Sequence, residues 1–272
     1  MIRSKHHTAA DGRAALYIAV LALVLLALAL LSFVLGRYDV PFVQVVRILL
    51  SRVAPLEKTW TDNMATAVLN VRLPRILLAG LVGCSLSAAG TAYQSVFRNP
   101  MAAPDILGAS SGACFGAALA ILLGLVRLGV TALAFAASLA TVALVYVLAR
   151  RIRGNQVVNL LLAGIMISSL FSAGTSYIKL VADPTNQLPA ITYWLMGSLS
   201  GARMKDVGFT LLPMALGLVP LLLLRWRINL LTLSEEESRS MGINTTVLRL
   251  VVILCATVLT AASVSVSGMI GW

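Results

Sequence analysis

Between Arg75 and Arg98 the chain runs for twenty-two residues, Ile76 to Phe97, without a charged side chain. A stretch of that length and character suits a bilayer better than a soluble core. Inside it, Gly80, Gly83, Ser85, Ser87, Ala88, Ala89 and Gly90 are small. Small residues let helix backbones approach closely in lipid, so this helix is built to pack against other helices.

The whole chain agrees with that start. Of 272 residues, 59% are hydrophobic and 11% charged, with a mean hydropathy of +0.93. That is the composition of a polytopic membrane protein. The formal net charge of +11 does not indicate nucleic acid, because the basic residues sit at helix ends rather than along one face. Cys84, Cys114 and Cys255 fall in apolar runs without CxxC spacing, so they read as small buried residues rather than a zinc site or a disulfide framework. His6 and His7 lie in a polar tail with nothing nearby to complete a metal site.

Taken in order, residues 1–13 form a short polar tail and residues 14–272 the membrane domain. Seven spans are expected: 14–36, 76–97, 106–126, 129–149, 156–177, 207–224 and 247–267. The first apolar run is too long for a signal-peptide core, and no A-x-A site follows. A short surface helix is expected at about 42–53, and an interfacial or re-entrant helix within 179–205, where Trp194 precedes Leu195-Met196-Gly197. Basic residues divide almost evenly between the two sides, so charge alone does not orient the chain. Ser85-Leu86-Ser87-Ala88-Ala89-Gly90 echoes Ser263-Val264-Ser265-Val266-Ser267-Gly268, a weak hint of inverted repeats.

Three motifs follow one another around the second span. Arg72-Leu73-Pro74-Arg75 precedes it; Gly83-x-x-Leu86-Ser87-Ala88-Ala89-Gly90-x-x-x-Gln94 lies within it. Arg98-Asn99-Pro100-Met101-Ala102-x-Pro104-Asp105-Ile106-Leu107-Gly108-x-Ser110-Ser111-Gly112-Ala113 follows. Their order resembles the permease subunit of ABC importers for iron-siderophores, haem and cobalamin, and the resemblance extends from about Val71 to Trp272. It implies an all-α fold of ten helices with inverted repeats, a cytoplasmic N-terminus, and a chain that stops about three helices early.

The segment between the sixth and seventh spans carries the clearest local signal. Ser234 with Glu237 makes a capping box, Glu235 and Glu236 fall in the first turn, and Gly242 is a natural C-terminal stop. A short helix over 235–241 follows. The resemblance makes it the coupling helix that sits on an ATPase subunit, with Ser234, Glu235, Glu236, Glu237, Ser238, Arg239, Met241 and Gly242 in contact; Ser238 departs from the alanine common there. The resemblance also makes Arg72 and Arg75 docking residues for acidic side chains of a substrate-binding protein, a task suited to the planar guanidinium. Snorkelling to headgroups is the alternative reading of the two. Asn99 and Met101, with Val157 and Val158, align with the cytoplasmic gate; the two valines could equally be packing residues. Gly80, Gly83, Gly90, Gly108 and Gly112 are expected to serve helix packing. Gly108 to Gly112 is no phosphate loop, since the chain has no G-x-x-x-x-G-K-[ST].

The expected function is therefore a non-enzymatic permease of a bacterial or archaeal inner or plasma membrane, without cofactor or metal. It would carry a metal chelate, ferric-siderophore in the first instance, with haem or cobalamin as alternatives. Its expected partners are ATP-binding cassette subunits, an extracytoplasmic binding protein, a second permease copy or paralogue, and lipid. An ion-coupled carrier would need carboxylates within spans and a membrane enzyme a nucleophile with its base; the spans hold no Asp, Glu or His.

Overall fold

A computed structural model describes residues 3–52, 54–55, 57–233, 237, 241–242 and 244–270, with side chains from Ala14 onward. The chain divides into two compact units, Met1–Leu77 and Leu78–Trp272, with one helix running through the junction.

The first unit holds α1 (Arg3–Val34), α2 (Phe42–Leu50) and α3 (Asp62–Thr66), then a π-helical turn (Ala67–Arg72) leading into α4 (Leu73–Phe97). Its small core is Phe33, Val40, Val45, Ile48 and Val68. Thr61 starts α3 by accepting from Met64 N. The surface helix expected at 42–53 is α2, placed by Pro41, whose fixed φ of −58° suits the residue before a helix.

The second unit holds the rest of α4, then α5 (Ala109–Leu122), α6 (Arg127–Arg151), α7 (Gln156–Val181), α8 (Gln187–Leu195), α9 (Met204–Leu223), α10 (Arg225–Leu230) and α11 (Thr245–Ser267). Tyr93, Leu107, Leu160, Ile253 and Leu259 sit at the centre of its core. Among the described residues six helices are long and apolar enough to cross a membrane, α5 being shorter. The all-α polytopic class read from the sequence stands, and α8 is the short helix expected within 179–205.

The third expected span, 106–126, is where the helix lengths differ. At fourteen residues α5 reaches about 21 Å, short of a full crossing. It begins inside the bundle, because Gly108 packs on Ser168 and the Ile106 carbonyl on Gly164, both well along α7. The residues before it are irregular backbone at depth, which lipid does not tolerate unless protein covers it and its polar groups are met. Both conditions hold: Ala102 and Leu107 are buried, Gly108 N donates to Asp105 O, and Asp105 Oδ1 accepts from Ser110 N at 2.8 Å. Gly108 takes φ +76° at the α5 N-cap, a left-handed conformation that favours glycine.

The expected packing glycines divide. A Cβ at Gly112 would strike the Thr141 side chain, and one at Gly116 the Ala137 methyl and the Leu133 carbonyl, so α5 and α6 meet backbone to backbone. Gly90 lies against the Pro104 ring. Gly80 and Gly83, expected to pack as well, are exposed and meet nothing within 4 Å of a Cβ among the described residues, because they fall on the face of α4 turned from the core that holds Ala89 and Tyr93. The sequence echo between 85–90 and 263–268 is not matched locally. Gly90 stays inside α4, whereas Gly268 takes φ +71° and ends α11.

Candidate coupling and gating site

In the second unit, α4, α6 and α9 finish at the same end at which α7 and α11 begin. Three short segments meet there. The first is the turn after α4. Asn99 N donates to Gln94 O, which closes the helix in a Schellman-type turn with Arg98 at φ +51°. Glycine usually holds that position; an L-residue there costs about 1 kcal/mol. The conformation is fixed by Arg98 Nε, which donates to Leu231 O at 2.8 Å just after α10. Asn99 Oδ1 accepts from Met101 N at 2.9 Å, so its side chain closes its own turn and leaves Met101 84% exposed.

The second segment is the start of α7. Asn155 is the N-cap, accepting from Val157 N at 2.9 Å and Val158 N at 3.4 Å. Val158 is exposed and Val157 half-buried. The third segment is the start of α11, capped by Asn244 accepting from Val247 N. One turn further, the buried Arg249 donates from Nη1 to Gln156 Oε1 at 3.0 Å and so ties α11 to α7. Arg98, Gln156, Val157, Thr246 and Arg249 line one cavity of about 480 Å³. Of the expected gate residues, Val157 lines this cavity, while Asn99, Met101 and Val158 lie at the exposed surface of the same end.

The expected coupling helix falls largely outside the described residues: Ser234, Glu235, Glu236, Ser238 and Arg239 are among those not described. Glu237, Met241 and Gly242 are described. Met241 N donates to Glu237 O at 3.2 Å, one helical turn. Gly242 follows at φ +75°, the left-handed stop expected of it. Met241 and Gly242 face Trp226, Arg227 and Leu230 of α10 and Val247 of α11 across a cavity of about 610 Å³.

The opposite end of the second unit is pinned by Arg127 Nη2 on Asp206 Oδ2 at 2.7 Å, while Asp206 also accepts from Arg203 N at the start of α9. Gln187 Nε2 donates to Leu122 O at 3.0 Å and holds α8 to the end of α5. In the loop before α8, Asp183 Oδ2 accepts from Asn186 N at 2.7 Å; backbone donors, Asn186 first, hold this exposed carboxyl below its ordinary range.

In the first unit the two expected docking arginines part company. Arg75 is exposed. Arg72, expected at a docking surface, is instead buried at 8% exposure. Its Nη1 donates to Phe33 O and, at 3.2 Å, to Val34 O; its Nη2 donates to Tyr38 O. Its donors are turned to backbone carbonyls and away from any outside carboxylate.

Sequence reasoning missed Arg98 with Leu231, Arg249 with Gln156, and Arg127 with Asp206. Arginine and carboxamide or carboxylate at opposite helix ends was the available signal, but pairing them needs the topology. Among the described residues no group of three His, Cys, Asp or Glu could hold a metal ion.

The sequence model of the FecCD transport family matches residues 23–272. A Helicobacter pylori protein described as an iron chelatin transport system permease is 44% identical over 215 residues, covering 78% of this chain and 64% of its own length. The molybdate import system permease MolB of Haemophilus influenzae is 36% identical over 252 residues, covering 93% of this chain and 74% of its own. A solved inward-facing structure, described as a metal-chelate type ABC transporter, superposes with a TM-score of 0.81 at 34% identity, covering 94% of this chain and 77% of that one. The chain thus spans about two thirds of the length of the iron chelatin permease it matches.

Proposed function

Because the chain belongs to the FecCD transport family, a family of multi-pass membrane permeases, we propose that it serves as the permease subunit of a binding-protein-dependent ABC importer. The observation that carries this reading is the family match over residues 23–272, which takes in the coupling segment, the gate residues and the arginine pair together. In this reading ATP is hydrolysed by separate subunits seated at the end where Glu237, Met241 and Gly242 lie.

Charge in the second unit supports that orientation. Arg98, Arg150, Arg151, Arg153, Arg225, Arg227 and Arg249 belong to this end, against Arg127, Lys179, Arg203 and Lys205 at the other, where Asp183 and Asp206 also lie. Basic residues close to span ends favour the cytoplasmic side. The turn closed by Met241 N on Glu237 O, which faces α10 and α11 across the cavity, can turn motion of an ATPase into tilting of those helices.

The gate is proposed to form where Met101 and Val158 face their counterparts on a second permease subunit. Apolar side chains in a narrow ring block water by dewetting. Arg75 is proposed to dock an acidic side chain of a substrate-binding protein. The proposed cargo is a ferric chelate, supported by the iron chelatin relative; a molybdate-type oxyanion is the second reading, supported by the relative that matches more of this chain.

Two measurements test this. Co-expression with candidate ATP-binding cassette subunits from the same genome should give a complex that purifies intact and hydrolyses ATP faster with loaded binding protein. Fluorescence quenching of that binding protein by ferric siderophore, haem, cobalamin and molybdate identifies the cargo. A chain that purifies without any ATPase would defeat the importer reading.

A further inference from the structure

We infer that Arg72 and Gly36 form an intramolecular lock that fastens the C-terminal end of α1 to the π-helical turn before α4. The two arginines of Arg72-Leu73-Pro74-Arg75 then have different tasks. The lock does not depend on the importer reading; the assignment of docking to Arg75 alone does rest on it.

The first span is held at one end. From Leu16 to Leu31 its large side chains are exposed, and the buried side chain in its last turn is Phe33. At that end the final carbonyls of the helix have no intrahelical donor. Arg72 supplies donors to two of them, Phe33 O and Val34 O, and reaches on to Tyr38 O in the link to α2. A cation is also favoured at a helix C-terminus, where the dipole is negative.

Gly36 makes the room. A Cβ there would fall on the Arg72 guanidinium, with Nη2 the nearest atom. Gly36 is not among the glycines with positive φ, so its value at this position is space rather than conformation. Three carbonyls from one short stretch fit a planar fork, and a lysine ammonium on a single stem does not reproduce that arrangement. The residue that makes the lock closes the π-helical turn Ala67–Arg72, and such widened turns concentrate at functional positions.

Hydrogen–deuterium exchange on the full chain in lipid nanodiscs tests the lock. In Gly36→Ala, and separately in Arg72→Lys, the amides of residues 35–40 should exchange about tenfold faster, the factor expected from losing one or two net hydrogen bonds. Exchange in α6 and α11 should stay as in the parent, which separates a released lock from general instability. The double variant should match the single ones, because each breaks the same contact. The inference is overturned if Gly36→Ala leaves exchange over 35–40 unchanged, or if the two effects simply multiply. Should Arg72→Lys fail to fold, Gly36→Ala alone decides. Arg75→Glu should leave exchange as in the parent and weaken binding of the substrate-binding protein that the importer reading requires. If that binding is unaffected, the docking proposal falls and the lock stands.

Discussion

The Tyr93 hydroxyl lies 3.0 Å from Thr257 Oγ1, joining α4 to α11 in the apolar centre of the second unit. Thr257 Oγ1 also donates to Ile253 O at 2.7 Å, so its single proton is committed and Tyr93 must be the donor. The direction sets an asymmetry. Tyr93→Phe leaves Thr257 satisfied and should cost about 0.5–1 kcal/mol. Thr257→Val strands a buried phenol proton and should cost about 1–3 kcal/mol. Reversible unfolding in mixed micelles would check the order; a Tyr93→Phe loss as large as that of Thr257→Val would count against Tyr93 as the donor.

Glycine substitutions should split along the two faces found here. Gly112→Ala meets Thr141, a side chain that Thr141→Ala shortens, so the second change should recover part of the loss. Gly116→Ala meets the Leu133 carbonyl, which no side-chain truncation moves, so it should stay destabilised by roughly 1–3 kcal/mol. Gly80→Ala and Gly83→Ala meet nothing among the described residues and should stabilise the chain slightly through helix propensity, by up to about 1 kcal/mol each. A loss at Gly80 or Gly83 confined to the assembled transporter would locate another helix on that face.

The ion pair of Arg127 with Asp206 is half-open to solvent on the arginine side, so its Coulomb part should be small and salt-sensitive, about 0.2–1 kcal/mol. Asp206 does a second job by accepting from Arg203 N at the start of α9. Asp206→Asn keeps an acceptor for that cap, whereas Asp206→Ala loses it. The alanine variant should therefore be the less stable of the two by about 1 kcal/mol, and the gap should persist at high salt. Thermal denaturation at two salt concentrations reads both effects.

The loop before α8 should respond to acid. Backbone donors, Asn186 first, hold the Asp183 carboxyl below its ordinary range. A group whose folded value is depressed contributes order above its unfolded value and loses it as pH falls through the folded one. Amides 184–188 should therefore exchange faster as pH drops below the ordinary carboxylate range, after correction for intrinsic rates. Asp183→Asn should remove that dependence.

Apolar length made the long helices legible, because a charge-free run of twenty residues has few alternatives. The shortness of α5 was not legible, because it depends on Asp105 reaching Ser110 N and on Gly108 settling against Ser168. Both are tertiary facts that hydropathy does not encode. Gly80 and Gly112 carry the same local signal, yet one faces outward and the other is wedged against Thr141; helix rotation decides, and composition is blind to it. Arg72 misled for a related reason. Nothing in the motif shows that carbonyls from residues 33–38 surround it, and Gly36 read only as the last residue of the first expected span. At the coupling segment, Gly242 was legible because a left-handed stop has its own residue preference.

Gly242 gives the most direct test of the proposed coupling. It takes φ +75°, and among the described residues nothing lies within 4 Å of a Cβ, so a side chain there is strained by backbone conformation. Asparagine tolerates that region and valine does not. Gly242→Asn should leave the chain folded and transport near the parent level. Gly242→Val should cost about 1–2 kcal/mol locally and unseat the turn in which Met241 N meets Glu237 O. In proteoliposomes with the ATPase subunits, Gly242→Val should keep basal ATP hydrolysis while chelate uptake per ATP falls severalfold. Equal uptake in the two variants would mean that the turn does not transmit the motor's movement. A parallel loss of stability throughout α11 would place its role in folding instead.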